Sequence, residues 1–164
     1  MNDGTAGVWL RIRALLRREE ERGSSLIEFA LVLPILLIVA TSTVVFGLTL
    51  NNYMILTNAT SIGARQLAIS RGQTTDPCAT TVSAVESAAP TLTAAHLSFS
   101  YTLNGTSYSG TTCSSASTTT GAAGNLVQGQ PAQVTVTYPC SLAAYGKNYA
   151  ASCTLSSTLT ELVQ

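Results

Sequence analysis

LIEFALVLPILLIVATSTVVFGLTL, Leu26 to Leu50, is the stretch that decides the architecture of this chain. Its 25 residues are interrupted only by Glu28, Pro34 and a few Thr and Ser. As a helix it would be about 37 Å long at about 1.5 Å per residue, enough to cross a hydrocarbon core of about 30 Å. No charge occurs from Phe29 to Ala64. Five of the eight basic residues, Arg11, Arg13, Arg17, Arg18 and Arg22, stand just before the stretch, and few follow it. That asymmetry places the N-terminus in the cytoplasm and everything after the helix outside it. A cleaved secretory signal is the rival reading, since Ala40-Thr41-Ser42 offers small residues late in the run. The apolar run nevertheless continues through Val44, Val45, Phe46 and Leu48, well past the roughly 7 to 15 residues of a secretory core.

Around this segment, 164 residues leave room for one compact domain. Charged residues make up 10%, against about 25% in an ordinary soluble domain, so much of the chain is not built for water. The net charge is zero and no basic cluster lies beyond residue 22, which excludes a nucleic-acid surface. All four cysteines, Cys78, Cys113, Cys140 and Cys153, follow the apolar block. An even count on one side of a membrane segment points to an oxidising compartment and two disulfides. Their wide spacing fits no zinc pattern, and His96 is the single histidine.

Periodicity supplies the rest of the layout: 1–23 a basic cytoplasmic leader, 24–50 the spanning helix, 51–72 its extension, and 73–164 an outer domain. Val8 to Arg18 suggests an amphipathic turn or two. After residue 50 the helix is expected to become amphipathic. Ile55, Leu56, Ala59, Ile62, Gly63, Leu67 and Ile69 share one face, Asn58, Ser61 and Arg65 the other, and Gly72 is a natural stop. Gly47 and Gly63 form no recognisable close-packing motif. Pro34 predicts a kink or an opened turn. Asp76-Pro77 reads as an N-cap and first helical residue, opening a helix to about Ala89 that Pro90 ends. The period then changes to two. Leu97, Phe99, Tyr101 and Leu103 alternate with Ser and Thr, Asn104-Gly105 predicts a type I′ turn, and 106–112 is the return strand. Residues 111–124 are expected to be a surface loop. Val134, Val136 and Tyr138 mark a third strand, and 153–162 a fourth. The fold class is therefore α+β: a long membrane helix, a short helix and a small antiparallel sheet whose thin core two disulfides would support. Strands on either side of 141–152 could pair as a hairpin, and short loops close readily, so Cys140–Cys153 is the expected bridge. Cys78–Cys113 follows by exclusion.

Glu28 lies near the start of the apolar helix, where an unpaired carboxylate costs several kcal/mol. A cut after Gly23 would give Ser24 a free α-amine, and in a helical assembly one subunit's amine could meet its neighbour's carboxylate. Equally, Glu28 could sit at the interfacial level, where a carboxylate costs little.

Gly23-Ser24-Ser25-Leu26-Ile27-Glu28-Phe29 resembles the class III signal of type IV pilin-like proteins. The longer run from Arg22 to Leu37, together with Asn58-Ala59-Thr60-Ser61-Ile62-Gly63-Ala64-Arg65, resembles the TadE-like family of the tight-adherence (Tad) pilus system. The resemblance covers about residues 22–72. It implies a pilin-like minor pseudopilin, cleaved by a prepilin peptidase, held in the bacterial inner membrane and required for pilus assembly. It makes Gly23 the last leader residue and Ser24 the mature N-terminus, with Glu28 and adjoining Phe29 setting register in assembly. The implied partners are other pilins and pseudopilins, the prepilin peptidase, the inner-membrane assembly platform and membrane lipid. Nucleic acid and small-molecule substrates are not expected, nor is any cofactor. A plain membrane-anchored binding module is the alternative. An enzyme is not expected, because the acids are scattered and there is neither a nucleophile elbow nor a phosphate loop.

Overall fold

The computed structural model describes the backbone of residues 4–113, 121–140, 142–144 and 146–164, and the side chains of these ranges from Ser25 onward except at position 144. The chain forms two units, one ending at Val44 and one running from Val45 to Gln164. Helix α1, Gly4–Ile69, is a single 66-residue element that carries Pro34 within it. It begins well before the turn or two expected of the leader. Between the Arg/Glu-rich segment and Leu26 the only helix-weakening residues are Gly23, Ser24 and Ser25, and none of these breaks a helix as proline does.

From Ser25 on, α1 contains a helix long and apolar enough to cross a membrane, with a mean hydropathy of 2.6 in its most apolar window. Its hydroxyl residues are compatible with lipid for a local reason. Thr41, Ser42, Thr43 and Thr49 donate to the carbonyls of Leu37, Ile38, Val39 and Val45 at 2.6, 2.8, 2.9 and 3.0 Å. Each donor thus finds its partner four residues back on its own helix, where lipid offers none.

In the second unit α1 turns one side to a core. Leu56, Ala59, Thr60, Gly63, Ala64, Leu67 and Ala68 are buried. The expected face is therefore displaced around the helix. Ile62 and Ile69 are 42% and 41% exposed, and Thr60, Ala64 and Ala68 take their place inside. Small residues on this side let a neighbour approach. Thr60 can be buried because its hydroxyl donates to Leu56 O at 2.7 Å. The helix ends as Ser70 N–H and Oγ both bond Leu67 O, with Gly72 in the left-handed region at φ +71°.

Helix α2, Pro77–Ala88, starts as expected, with Asp76 capping Ala79 N–H at 3.0 Å and proline at the first position. It lays Pro77, Cys78, Thr81, Val82 and Val85 inward. Its crossing with α1 is tight at Gly63, contrary to the reading of that glycine as unremarkable. A Cβ there would fall 2.5 Å from Val85 Cγ2 and 3.3 Å from Thr81 Cγ2. Both neighbours are branched and buried, so neither can swing aside.

A short 3-10 turn, Ala94–His96, leads into β1, Ser98–Leu103, and β2, Thr106–Ser109. Asn104 and Gly105 join them with φ +48° and +78°, positive at both central positions as a type I′ turn requires. β2 stops at Ser109 rather than 112, as Gly110 adopts φ +101°. β3 is Pro131–Pro139, a small hairpin of β4 (Ala143–Ala144) and β5 (Lys147–Asn148) follows, and β6 is Thr154–Leu162. The main sheet runs β2-β1-β3-β6, antiparallel throughout. Its inner face puts Phe99, Tyr101, Leu103, Val134 and Val136 into the same core as Leu56 and Leu67. Its outer face is mainly Ser, Thr and Gln, with Leu162 exposed at the end of β6, and the Thr135 and Thr158 hydroxyls lie 2.9 Å apart across strands. The expected loop 111–124 lies outside the described residues from 114 to 120. Beyond that, Gly121 and Ala122 are buried rather than superficial.

Gly63→Val should lower stability by about 1–3 kcal/mol through overpacking against α2. Gly63→Ala should cost less, because alanine recovers up to about 1 kcal/mol of helix propensity. Thermal unfolding of the detergent-solubilised protein, followed by near-ultraviolet circular dichroism, measures both.

Candidate functional site

Two regions carry the features singled out in the sequence. The first is the start of the apolar segment. Glu28 and Phe29 lie on α1, both exposed, Phe29 at 61%. No ion pair joins Glu28 to any described residue. Positions 24 and 28 are one helical turn apart, about 6 Å along the axis. The Ser24 side chain lies outside the described ones, so the expected cleavage site is placed by its backbone alone, inside a continuous helix. Downstream, Leu26, Ile27, Leu31, Val32, Ile35 and Leu36 are all exposed. Apolar side chains leave α1 on every side here, so this surface can be satisfied only by lipid or by other apolar helices.

The second region fastens the outer unit. Both expected disulfides are present, Cys78–Cys113 and Cys140–Cys153, with Cα separations of 5.4 and 5.2 Å. Asp76 sits at the centre of the first. Its Oδ1 accepts from Ala79 N–H and from Cys113 N–H, both at 3.0 Å. One carboxylate thus caps α2 and anchors the far end of the bridge that α2 carries. The potential ligand atoms of Asp76, Cys78 and Cys113 lie within 4.8 Å of one another. Because the two sulfurs are bonded to each other, the trio is a fastening and not a set of metal ligands. Nearby, Tyr101 buries its phenol oxygen without a hydrogen-bond partner among the described residues. Burial, and then the Asp76 carboxylate, push that phenol well above its ordinary value, so it stays neutral.

The second bridge closes the base of the β3–β6 pair, where Cys140 N–H donates to Cys153 O at 3.0 Å. Beside it is an open groove of about 550 Å³, lined by Leu48, Asn52, His96, Tyr138 and Asn148 among others. His96 and Tyr138 have ring centroids 6.3 Å apart. They are the groove's titratable side chains, with no carboxylate or free thiol among the lining residues. Sequence reasoning identified the cap and both bridges. It missed the second hydrogen bond of Asp76 and the close approach at Gly63, which depend on partners far along the chain.

Residues 23–65 match the model of the family described as TadE-like protein. Over that stretch the chain is similar to TadE-like proteins. No curated protein and no solved structure matches it. The TadE-like region begins at Gly23, takes in the whole apolar stretch, and ends at Arg65 within the part of α1 that packs on α2. The outer sheet and both disulfides lie beyond it.

Asp76→Ala should destabilise the outer unit by about 2 kcal/mol, combining a lost cap with an unsatisfied Cys113 N–H. Asp76→Asn, which keeps an acceptor oxygen, should recover most of that loss. Urea unfolding midpoints of the oxidised proteins distinguish the two.

Proposed function

We propose that this chain is a minor pseudopilin-like subunit that takes part in assembling a Tad-type pilus. The observation that carries the reading is the TadE-like match beginning at Gly23, on the residues that resemble a class III signal. In this reading the chain sits in the inner membrane by α1, with its N-terminus in the cytoplasm and residues 73–164 outside. A prepilin peptidase cleaves between Gly23 and Ser24. The new α-amine of Ser24 then pairs with Glu28 of a neighbouring subunit. The chain acts with other pilins and pseudopilins and with the assembly platform, and it is not an enzyme.

The physical basis is an exchange of like for like. A helix apolar on every side loses little when it passes from lipid into a bundle of similar helices, because apolar contact replaces apolar contact. Register must then come from something other than hydrophobicity. A single carboxylate provides it, since a neighbour at the wrong height leaves the charge unpaired in apolar surroundings. The disulfides suit an oxidising compartment on the far side of the membrane.

Gly23→Val should block removal of the leader, because a branched side chain crowds the scissile bond. Intact-mass measurement of the protein from cells with active prepilin peptidase tests this, and wild type still carrying residues 1–23 would refute the cleavage. Glu28→Gln should insert into membranes at least as well as wild type and yet impair assembly, with Glu28→Asp intermediate. Membrane fractionation reads insertion; cross-linking to pilus components and surface piliation read assembly. Normal piliation with Gln at position 28 would favour a membrane-anchored binding module instead.

A further inference from the structure

The groove beside the Cys140–Cys153 bridge takes no part in the assembly proposed above, and its two ends differ in chemistry. One wall is α1, where Val45, Leu48 and Asn52 fall on one side of the helix at spacings of three and four. The other wall carries His96, Tyr138 near the end of β3, and Asn148 of β5. Val45 and Leu48 belong to the last turns of the apolar stretch, where Phe46, Leu48 and Leu50 are exposed. Lipid that covers these residues reaches the mouth of the groove. Asn52 lies about 10 Å farther along the axis than Val45. Over that distance the groove passes from apolar to polar, the same change that separates the acyl chains of a phospholipid from its headgroup.

The polar end is short of partners. Among the described residues, none hydrogen-bonds the side chains of Asn52, His96 or Tyr138. Each of the three can donate, through an amide N–H, an imidazole N–H and a phenol O–H. Lys147, exposed and next to Asn148 on β5, adds an ammonium group at the rim. Negative charge is kept away from this end. The carboxylate side chains after Val45 are Asp76, Glu86 and Glu161. Asp76 follows the far end of α1, Glu86 adjoins Val85 at the Gly63 crossing, and Glu161 pairs with Ala132 at the end of the sheet opposite Cys140. None of them lines the groove.

We propose that this groove binds an anionic phospholipid of the membrane, with its phosphate at Asn52, His96 and Tyr138 and an acyl chain along Val45 and Leu48. The inference rests on α1 spanning a membrane, as in the reading above. A phosphodiester accepts hydrogen bonds and donates none, which suits a set of donors without acceptors. Lys147 favours a headgroup of net negative charge, and the ammonium of a zwitterionic headgroup finds no carboxylate here to pair with. Tyrosine at this level also has the amphipathic character of residues that sit at membrane–water interfaces. A neighbouring apolar helix would cover Val45 and Leu48 but would leave the three donors without an acceptor.

The test titrates the full-length protein in detergent with dioleoyl phosphatidylglycerol or dioleoyl phosphatidylcholine and reads bound lipid by native mass spectrometry. Phosphatidylglycerol should bind about tenfold more tightly than phosphatidylcholine, a comparison that depends on no variant. Tyr138→Phe, which keeps the ring, and Lys147→Gln, at an exposed position, should together weaken phosphatidylglycerol binding by about tenfold. The unfolding temperature of this double variant without added lipid should stay near wild type. Arg65→Gln and Arg71→Gln remove exposed cations elsewhere and should leave binding unchanged. Equal binding of the two lipids, unaltered binding in the well-folded double variant, or an equal loss with Arg65→Gln would overturn the proposal. Displacement of the lipid by millimolar inorganic phosphate would overturn it by assigning the donors to a soluble anion. A dimer abolished by the double variant would do so by assigning the groove to a second copy. Carbonate extraction of cell membranes separates the two readings. Release of the wild-type protein would overturn the spanning helix and this site with it, whereas retention without selectivity for phosphatidylglycerol would overturn the site alone.

Discussion

The outer unit depends on one close approach, the crossing of α1 and α2 at Gly63. The helix presents a row of small and medium side chains, Ala59, Thr60, Gly63, Ala64 and Ala68, flanked by Leu56 and Leu67. Small residues contribute little burial individually, but they let Val85 and Thr81 come within contact distance of the α1 backbone. A void or a larger side chain at this seam would affect α2, the Cys78–Cys113 bridge it carries, and the sheet packed on the same core. The constraint also explains why the buried face is not the most hydrophobic one available. Ile62 and Ile69 would bury more area, but they would hold α2 farther from α1.

Asp76 and the two disulfides secure a core that is small by ordinary standards. A cap normally satisfies one helix terminus; here the same oxygen also holds Cys113, so the start of α2 and the segment bridged to it are fixed together. The second bridge does the corresponding work at the open end of β3 and β6. In so narrow a sheet, Leu155 and Leu159 on β6 remain only half-buried.

Much of this was legible in local pattern. Leu26–Leu50 announces a spanning helix by length and absence of charge, Asp76-Pro77 a helix start, Asn104-Gly105 a tight turn, and the alternation after Leu97 a sheet. Each is a relation among near neighbours and follows from backbone geometry. The pairing of Cys140 with Cys153 was accessible because their strands flank a short loop. The reading of α1 was less accurate where it relied on hydrophobicity alone. A helical period locates an apolar side, but the side that is buried is chosen by what packs against it.

The sequence by itself determined the membrane-compatible helix, the N-cap of α2, the turn between β1 and β2, and the α+β class, because periodicity, capping and turn chemistry act within a few residues. Tertiary structure alone decided that Gly63 is a contact point, that Asp76 serves two backbone donors, and that β2 and β6 form the two edges of the sheet. Each of these joins residues distant in the chain. Thr81, Val85 and Cys113 meet their partners only after the two helices and the sheet have enclosed a common core.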